Sequence, residues 1–148
     1  SEAQMGVFDK ITEATFSEGG NYFRPGSYDL EIVKVKQDQT RRKHDFVAVD
    51  CKILGTTSDM RIGEIGNWFT SNQHDSFLGN VKQFCYALLS ASGPIDVNSI
   101  TSEIVEGICK DSGAAVVGSR IRLQVTQVST QAGGTFSKHT WLPAGATA

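Results

Sequence analysis

Residues 27–36 read SYDLEIVKVK, and their apolar pattern changes phase partway along. Tyr28, Leu30 and Ile32 alternate with polar residues as in a half-buried strand, but the apolar positions become odd-numbered from Val33 onward. One extra residue at a β-bulge near Ile32 would produce this change of phase. Because bulges bend strands, the pattern predicts a first strand that belongs to a curled sheet.

Four more strands are predicted downstream. Residues 46–54 alternate apolar and polar side chains, and residues 60–70 contain two glycines of the kind found at bends in curved sheets. Residues 121–125 and 135–142 lie on either side of the turn sequence QAGG, which predicts a β-hairpin.

Two helices are predicted between the third and fourth strands. For the first, Asp75 is the predicted N-cap and Gly93-Pro94 the end. Its apolar stripe is listed as Phe77, Leu78, Val81, Phe84, Cys85, Leu88 and Leu89. A second, weaker helix is predicted near residues 100–110, within an extra helical segment at 96–110 that a simple five-stranded barrel does not require.

The order of these elements predicts a mainly β protein with a helical insert. Five curled antiparallel strands with the main helix between strands 3 and 4 are the layout of the five-stranded OB-fold barrel. We expect an N-terminal arm at residues 1–25, an OB-fold domain at 26–142 and a flexible tail at 143–148.

Bulk composition limits the classes of protein that are compatible with this sequence. With 148 residues, 39% of them hydrophobic, the chain is long enough for one domain with its own core. It contains no apolar run near the roughly 20 residues of a membrane span, and residues 1–10 lack the layout of a signal peptide. We therefore expect a cytoplasmic protein with no membrane contact.

Cysteine and histidine usage gives no indication of a metal or a cofactor. The three cysteines are far apart and form no CxxC pair, so free thiols are expected. The three histidines are not spaced as ligands. The net charge of −2 argues against general attraction to nucleic acid, although the basic residues are unevenly distributed.

Four stretches resemble one known family. They are NYFRPGSYDLEIVKVK (21–36), FVAVDCKI (46–53), GEIGNWF (63–69) and VKQFCYALLSA (81–91). Together they look like the small OB-fold single-stranded DNA-binding proteins of tailed bacteriophages, over roughly residues 20–142. The resemblance implies a DNA-binding protein that coats single-stranded DNA during phage DNA replication or recombination, in the host cell cytoplasm.

The resemblance also implies partners. Such proteins often recruit replication or recombination proteins through an acidic tail, whereas this sequence ends in PAGATA. The resemblance therefore implies DNA binding more directly than it implies recruitment. The sequence is compatible with an oligomer as well as with a monomer.

Binding a single strand requires cations along the backbone and rings on which bases stack. Basic residues cluster in the stretch RRKH (41–44), in the predicted loop 1–2. The predicted phosphate contacts are Lys34, Lys36, Arg41, Arg42, Lys43 and Arg122. The predicted stacking residues are Phe46, Trp68 and Trp141. Strand parity directs Phe46 away from its apolar neighbours, whereas Trp68 or its neighbour Phe69 is expected in the core, and Trp141 could close the barrel end.

Two alternatives remain open at this stage. OB barrels also serve as protein-interaction or structural modules, because fold does not determine function. The tripeptide Asp50-Cys51-Lys52 resembles the D-x-K of metal-dependent nucleases, although the same pattern suits a cross-strand charge pair. The sequence has no nucleophile elbow, dinucleotide fingerprint or P-loop, and we expect no enzyme activity.

Overall fold

The computed structural model describes residues 21–145. The predictions for residues 1–20 and 146–148 lie outside the described residues. The main elements in chain order are β1 (Gly26–Gln39), β2 (Asp45–Thr56), β3 (Ile65–Ser71), α1 (Phe77–Leu89), α2 (Ser102–Cys109), β4 (Arg120–Ser129) and β5 (Thr135–Pro143). Among the described residues, no helix is long and apolar enough to cross a membrane.

The five strands form one antiparallel sheet in the order β3-β2-β1-β4-β5. The central strand β1 pairs with β2 along nearly its whole length and with β4 through residues 26–31. The prediction of a mainly β chain, with five strands and the main helix between β3 and β4, is confirmed. Within residues 21–145, β3 and β5 are the two ends of an open sheet, so closure into an OB barrel stays a prediction.

The predicted bulge in β1 is confirmed at Val33. Ile32 is opposite Cys51 and Lys34 is opposite Asp50, so one residue of β1 has no partner on β2. A second irregularity between Asp29 and Leu30 shifts the register again. The first of these lies just after the end of the β1–β4 pairing and the second within it, and each increases the local bend of the sheet.

The core lies between the inward face of the sheet and α1. Trp68 of β3, Phe84 of α1 and Trp141 of β5 form an aromatic cluster, with ring centroids 4.9 to 5.8 Å apart. Gln83 of α1 accepts a hydrogen bond from the backbone N–H of Trp141 at 3.2 Å. The helix therefore contacts both end strands of the sheet. Its Gln83 side chain also satisfies one backbone N–H of β5.

Three details of the helix predictions are wrong. The N-cap of α1 is Ser76 rather than Asp75, and its side chain makes no capping hydrogen bond. Leu78 was assigned to the apolar stripe but is 76% exposed, because it lies in the first turn on the side away from the sheet. α2 is shorter than predicted and has Thr101 as its N-cap, which accepts a hydrogen bond from the N–H of Ile104.

The expectation of free thiols is confirmed. Cys51 and Cys85 are buried and Cys109 is partly buried, and none forms a disulfide. Loss of hydration raises the pKa of the Cys85 thiol to about 12, so this side chain stays neutral at physiological pH. The cysteines act as small apolar core residues.

Candidate nucleic-acid interface

Two phenylalanines form a ring pair on the outer face of β2 and β3, the face that points away from the core. Phe46 is opposite Ser71, and Phe69 is opposite Ala48, in the antiparallel register of the two strands. The ring centroids of Phe46 and Phe69 are 5.1 Å apart. Phe69 is 45% exposed and Phe46 is partly exposed, although both are large apolar side chains. The predicted outward orientation of Phe46 is confirmed.

The pair shares its strands with two short polar side chains. Asn67, two residues before Phe69 on β3, donates a hydrogen bond through Nδ2 to Oδ1 of Asp50 at 2.6 Å. The carboxylate of Asp50 is therefore hydrogen-bonded to a neutral amide. The outer face of β2 and β3 therefore combines apolar rings with hydrogen-bonding groups, which suits flat ligands with polar edges.

Loop 1–2, residues 40–44, connects β1 to β2, whose first two residues are Asp45 and Phe46. Thr40 closes the loop: its N–H donates to the carbonyl of His44 at 2.8 Å, and its carbonyl accepts from the N–H of Lys43 at 2.8 Å. Its hydroxyl also accepts from the N–H of His44 at 3.2 Å. Lys43 has φ of 63°, a left-handed conformation that makes the tight return possible.

The three cations of loop 1–2 are solvent-exposed. Arg41, Arg42 and Lys43 project from a backbone whose hydrogen bonds are made within the loop. Three consecutive positive charges thus lie three to five residues before Phe46 in the chain. This is the combination of backbone cations and ring faces that a single strand requires.

The cations of β1 lie on the same outer face. Lys34 is directly opposite Asp50, and Lys36 is opposite Ala48. The ammonium group of Lys36 is 3.8 Å from a carboxylate oxygen of Asp38 on its own strand. These lysines extend the positive surface from loop 1–2 along β1, but acidic neighbours reduce their field.

Arg122 is engaged in an ion pair. Its Nε is 2.9 Å from Oδ1 of Asp29, which is directly opposite on β1. The side chain of Asp29 is 59% exposed, but that of Arg122 is only 23% exposed, so the pair is partly buried on the arginine side. A phosphate at Arg122 would compete with Asp29 for the guanidinium, and the phosphate-binding role of Arg122 stays a prediction.

Trp68 and Trp141 require a correction. They are 5% and 3% exposed, respectively, and belong to the core cluster with Phe84. A stacking residue must offer one ring face to the ligand, and both faces of these indoles are covered. Their predicted stacking role is wrong for this conformation; the alternative assignment to the core is correct.

Phe69 replaces Trp68 as the exposed aromatic of β3. Successive residues of a strand point to opposite faces, so an inward Trp68 requires an outward Phe69. The sequence shows that Trp68 and Phe69 lie on opposite faces, but not which of them faces the core, because Gly66 within β3 and Gly63 before it interrupt the apolar pattern.

In the nuclease pattern Asp50-Cys51-Lys52, the aspartate and the lysine share the outer face of β2, and the cysteine lies on the inner face. Cys51 is in the core, Asp50 accepts from Asn67, and Lys52 is opposite Glu31 of β1. Within residues 21–145, no group of three or more histidine, cysteine, aspartate or glutamate side chains is arranged to hold a metal ion. Asp50 and Lys52 have the environment of cross-strand polar partners.

The chain was also compared with known proteins. Neither a scan against protein-family models nor a search of curated protein sequences found a match.

Proposed function

We propose that this chain binds single-stranded DNA without strong sequence preference and protects it during DNA replication or recombination, in the manner of the phage proteins that its sequence resembles. The observation that carries the proposal is the exposed pair of Phe46 and Phe69 beside the cations of loop 1–2. In OB-type sheets the face of strands 2 and 3 and loop 1–2 bind oligonucleotides.

The energetics support a ring-based site. Stacking of one base on an aromatic side chain contributes roughly 1–3 kcal/mol and tolerates any base, because every base has a flat face. Phosphate contacts from Arg41, Arg42 and Lys43 add affinity that falls as salt rises. The duplex keeps its bases stacked inside the helix and cannot use the ring pair, so the proposed site selects single strands.

The test is a fluorescence anisotropy titration with labelled oligo-dT and with a duplex of equal length, at low and high salt. We expect single-strand-selective binding, with Phe69→Ala and Phe46→Ala each weakening it by about 5- to 150-fold through loss of one stacked base. The control is Leu78→Ala, which removes a more exposed apolar side chain from α1, outside the proposed site. Absence of binding by the unmodified chain at low salt would rule out the proposal.

A protein-interaction module is the second candidate. The net charge of −2 and the cross-strand pairing of Arg122 with Asp29 favour it, since both reduce attraction to phosphates. Such a module would show no oligonucleotide affinity for salt to weaken, so the same titration separates the two functions.

A further inference from the structure

Tyr22 lies beside β3 on the same outer face as the Phe46–Phe69 pair. It forms a parallel β-bridge with Asn67, and residues paired across strands point to the same side of a sheet. The side chain of Asn67 is on the outer face, because it donates to Asp50. Consistently, Tyr22 is 55% exposed, whereas the next residue, Phe23, is 3% exposed.

The backbone on both sides of Tyr22 is held in place. The N–H of Asn21 donates to Oδ1 of Asn67 at 3.0 Å, and its carbonyl accepts from the N–H of Asn67 at 3.0 Å. The side-chain amide of Asn21 donates to Oε2 of Glu64 at 2.8 Å and to the carbonyl of Ile65 at 2.7 Å.

On the other side of Tyr22, the ring of Phe23 lies against Gly66 and packs edge-on against Tyr28 at 5.0 Å. The exposed tyrosine is thus flanked by two anchored residues. A ligand that contacts it does not need to order this segment first, which removes a cost of binding.

The bridge sets the position of Tyr22 relative to Phe69. Phe69 is two residues after Asn67, so the two rings are diagonal neighbours on adjacent strands. Phe46, Phe69 and Tyr22 therefore occupy three adjacent chain segments, which are about 4.8 Å apart in a sheet. The exposed side chain of Ile65 flanks Tyr22 on the other diagonal.

We infer that Tyr22 is a third base-stacking residue, and that a bound single strand crosses β2 and β3 from loop 1–2 to residues 21–23. The inference rests on the proposed function and adds the path that the bound single strand takes across the sheet. The ligand is the unpaired bases of a single strand. The phosphates lie toward Arg41 and Arg42 at one end, and a base rests on the phenol ring of Tyr22 at the other.

The first experiment compares Tyr22→Ala, Tyr22→Phe and the control Leu78→Ala in the anisotropy titration with oligo-dT. Tyr22→Ala is expected to weaken binding by about 5- to 150-fold, and Tyr22→Phe, which keeps the ring, to bind within about twofold of the unmodified chain. If Tyr22→Ala binds as the unmodified chain does while Phe69→Ala is weakened, this inference is wrong and the proposed function stands. If the unmodified chain does not bind, the proposed function fails first.

The second experiment needs no variant. Oligo-dT that contains one 5-iodouracil is crosslinked by light to the full chain, and the modified peptide is identified by mass spectrometry. Attachment to Tyr22 supports the path across β3, and moving the iodouracil along the oligonucleotide should transfer the crosslink between Tyr22 and the Phe46–Phe69 pair. Crosslinks that reach this pair from every position, and never reach Tyr22, would contradict the inference.

Discussion

Glu64 connects the Tyr22 segment to the turn before β3. One carboxylate oxygen accepts from the backbone N–H of Arg61 at 2.9 Å, and the other accepts from the side-chain amide of Asn21 at 2.8 Å. These two hydrogen bonds, in that order of size, lower the pKa of Glu64 from its ordinary value of 4.5. The charged form is therefore favoured by the folded chain.

Because the pKa of Glu64 is lowered in the folded chain, we expect acid to weaken the hydrogen bond between Glu64 and Asn21. The contribution of Glu64 is fully present above pH 4.5 and is lost as pH falls through the lower pKa of the folded state. We expect the side-chain amide NMR signal of Asn21 to titrate with a midpoint below 4.5. In Glu64→Gln this titration should disappear. A midpoint at or above the ordinary value would contradict the assigned hydrogen bonds.

Individual aromatic side chains illustrate how burial decides their roles. Phe46 and Phe69 are as apolar as the residues of the core, yet they lie on the outer face, where a ligand can reach them. Trp68 and Trp141 are larger and would stack more strongly, but the core requires them beside Phe84. The candidate stacking residues are therefore identified by the exposure of their rings rather than by ring size.

At the scale of elements, the contact between the N-terminal segment and β3 depends on a glycine. A Cβ at Gly66 would overlap the ring of Phe23, which is buried in the core. Gly66 is thus required for close approach, as glycines within strands often are.

Replacing Gly66 should therefore be costly. We expect Gly66→Ala to lower the free energy of unfolding by about 1–3 kcal/mol through overpacking. The matched control is Gly79→Ala in α1, where the added Cβ would meet nothing, and which should be neutral or stabilising by up to about 1 kcal/mol. Chemical denaturation measures both, and equal stability of the two variants would contradict the packing described.

At the scale of the whole molecule, net charge and local charge lead to different expectations. The chain carries a net charge of −2, while loop 1–2 presents Arg41, Arg42 and Lys43 beside the ring pair. If these three side chains contact phosphates, they determine how affinity changes with salt. The overall charge affects mainly long-range attraction.

The triple variant Arg41→Gln, Arg42→Gln and Lys43→Asn tests this local field. Asparagine tolerates the left-handed backbone at position 43, so the loop should keep its shape. For single strands each lost phosphate contact reduces the slope of log K against log salt by about 0.7, so we expect a reduction of about 2. The control Lys82→Gln on α1 should leave the slope unchanged. An unchanged slope in the triple variant would exclude loop 1–2 as the phosphate-binding element.

Much of the fold followed from local pattern. The change of apolar phase at Val33 predicted the bulge, and alternation along β2, β4 and β5 predicted strands that the structure contains. The helix boundaries were less accurate, since Asp75 and Ser76 are both good N-cap residues and sequence alone does not choose between them.

Local sequence patterns predicted the number and order of the main strands and helices, the outward position of Phe46 and the three cations that precede it. These depend on the period of side chains along one segment and are therefore local. The tertiary structure alone decided that Trp68 and Trp141 meet Phe84, that Phe69 joins Phe46, and that Tyr22 lies beside Asn67. Those contacts join residues distant in the chain, and they depend on strand register and on how the core is filled, which no single segment specifies.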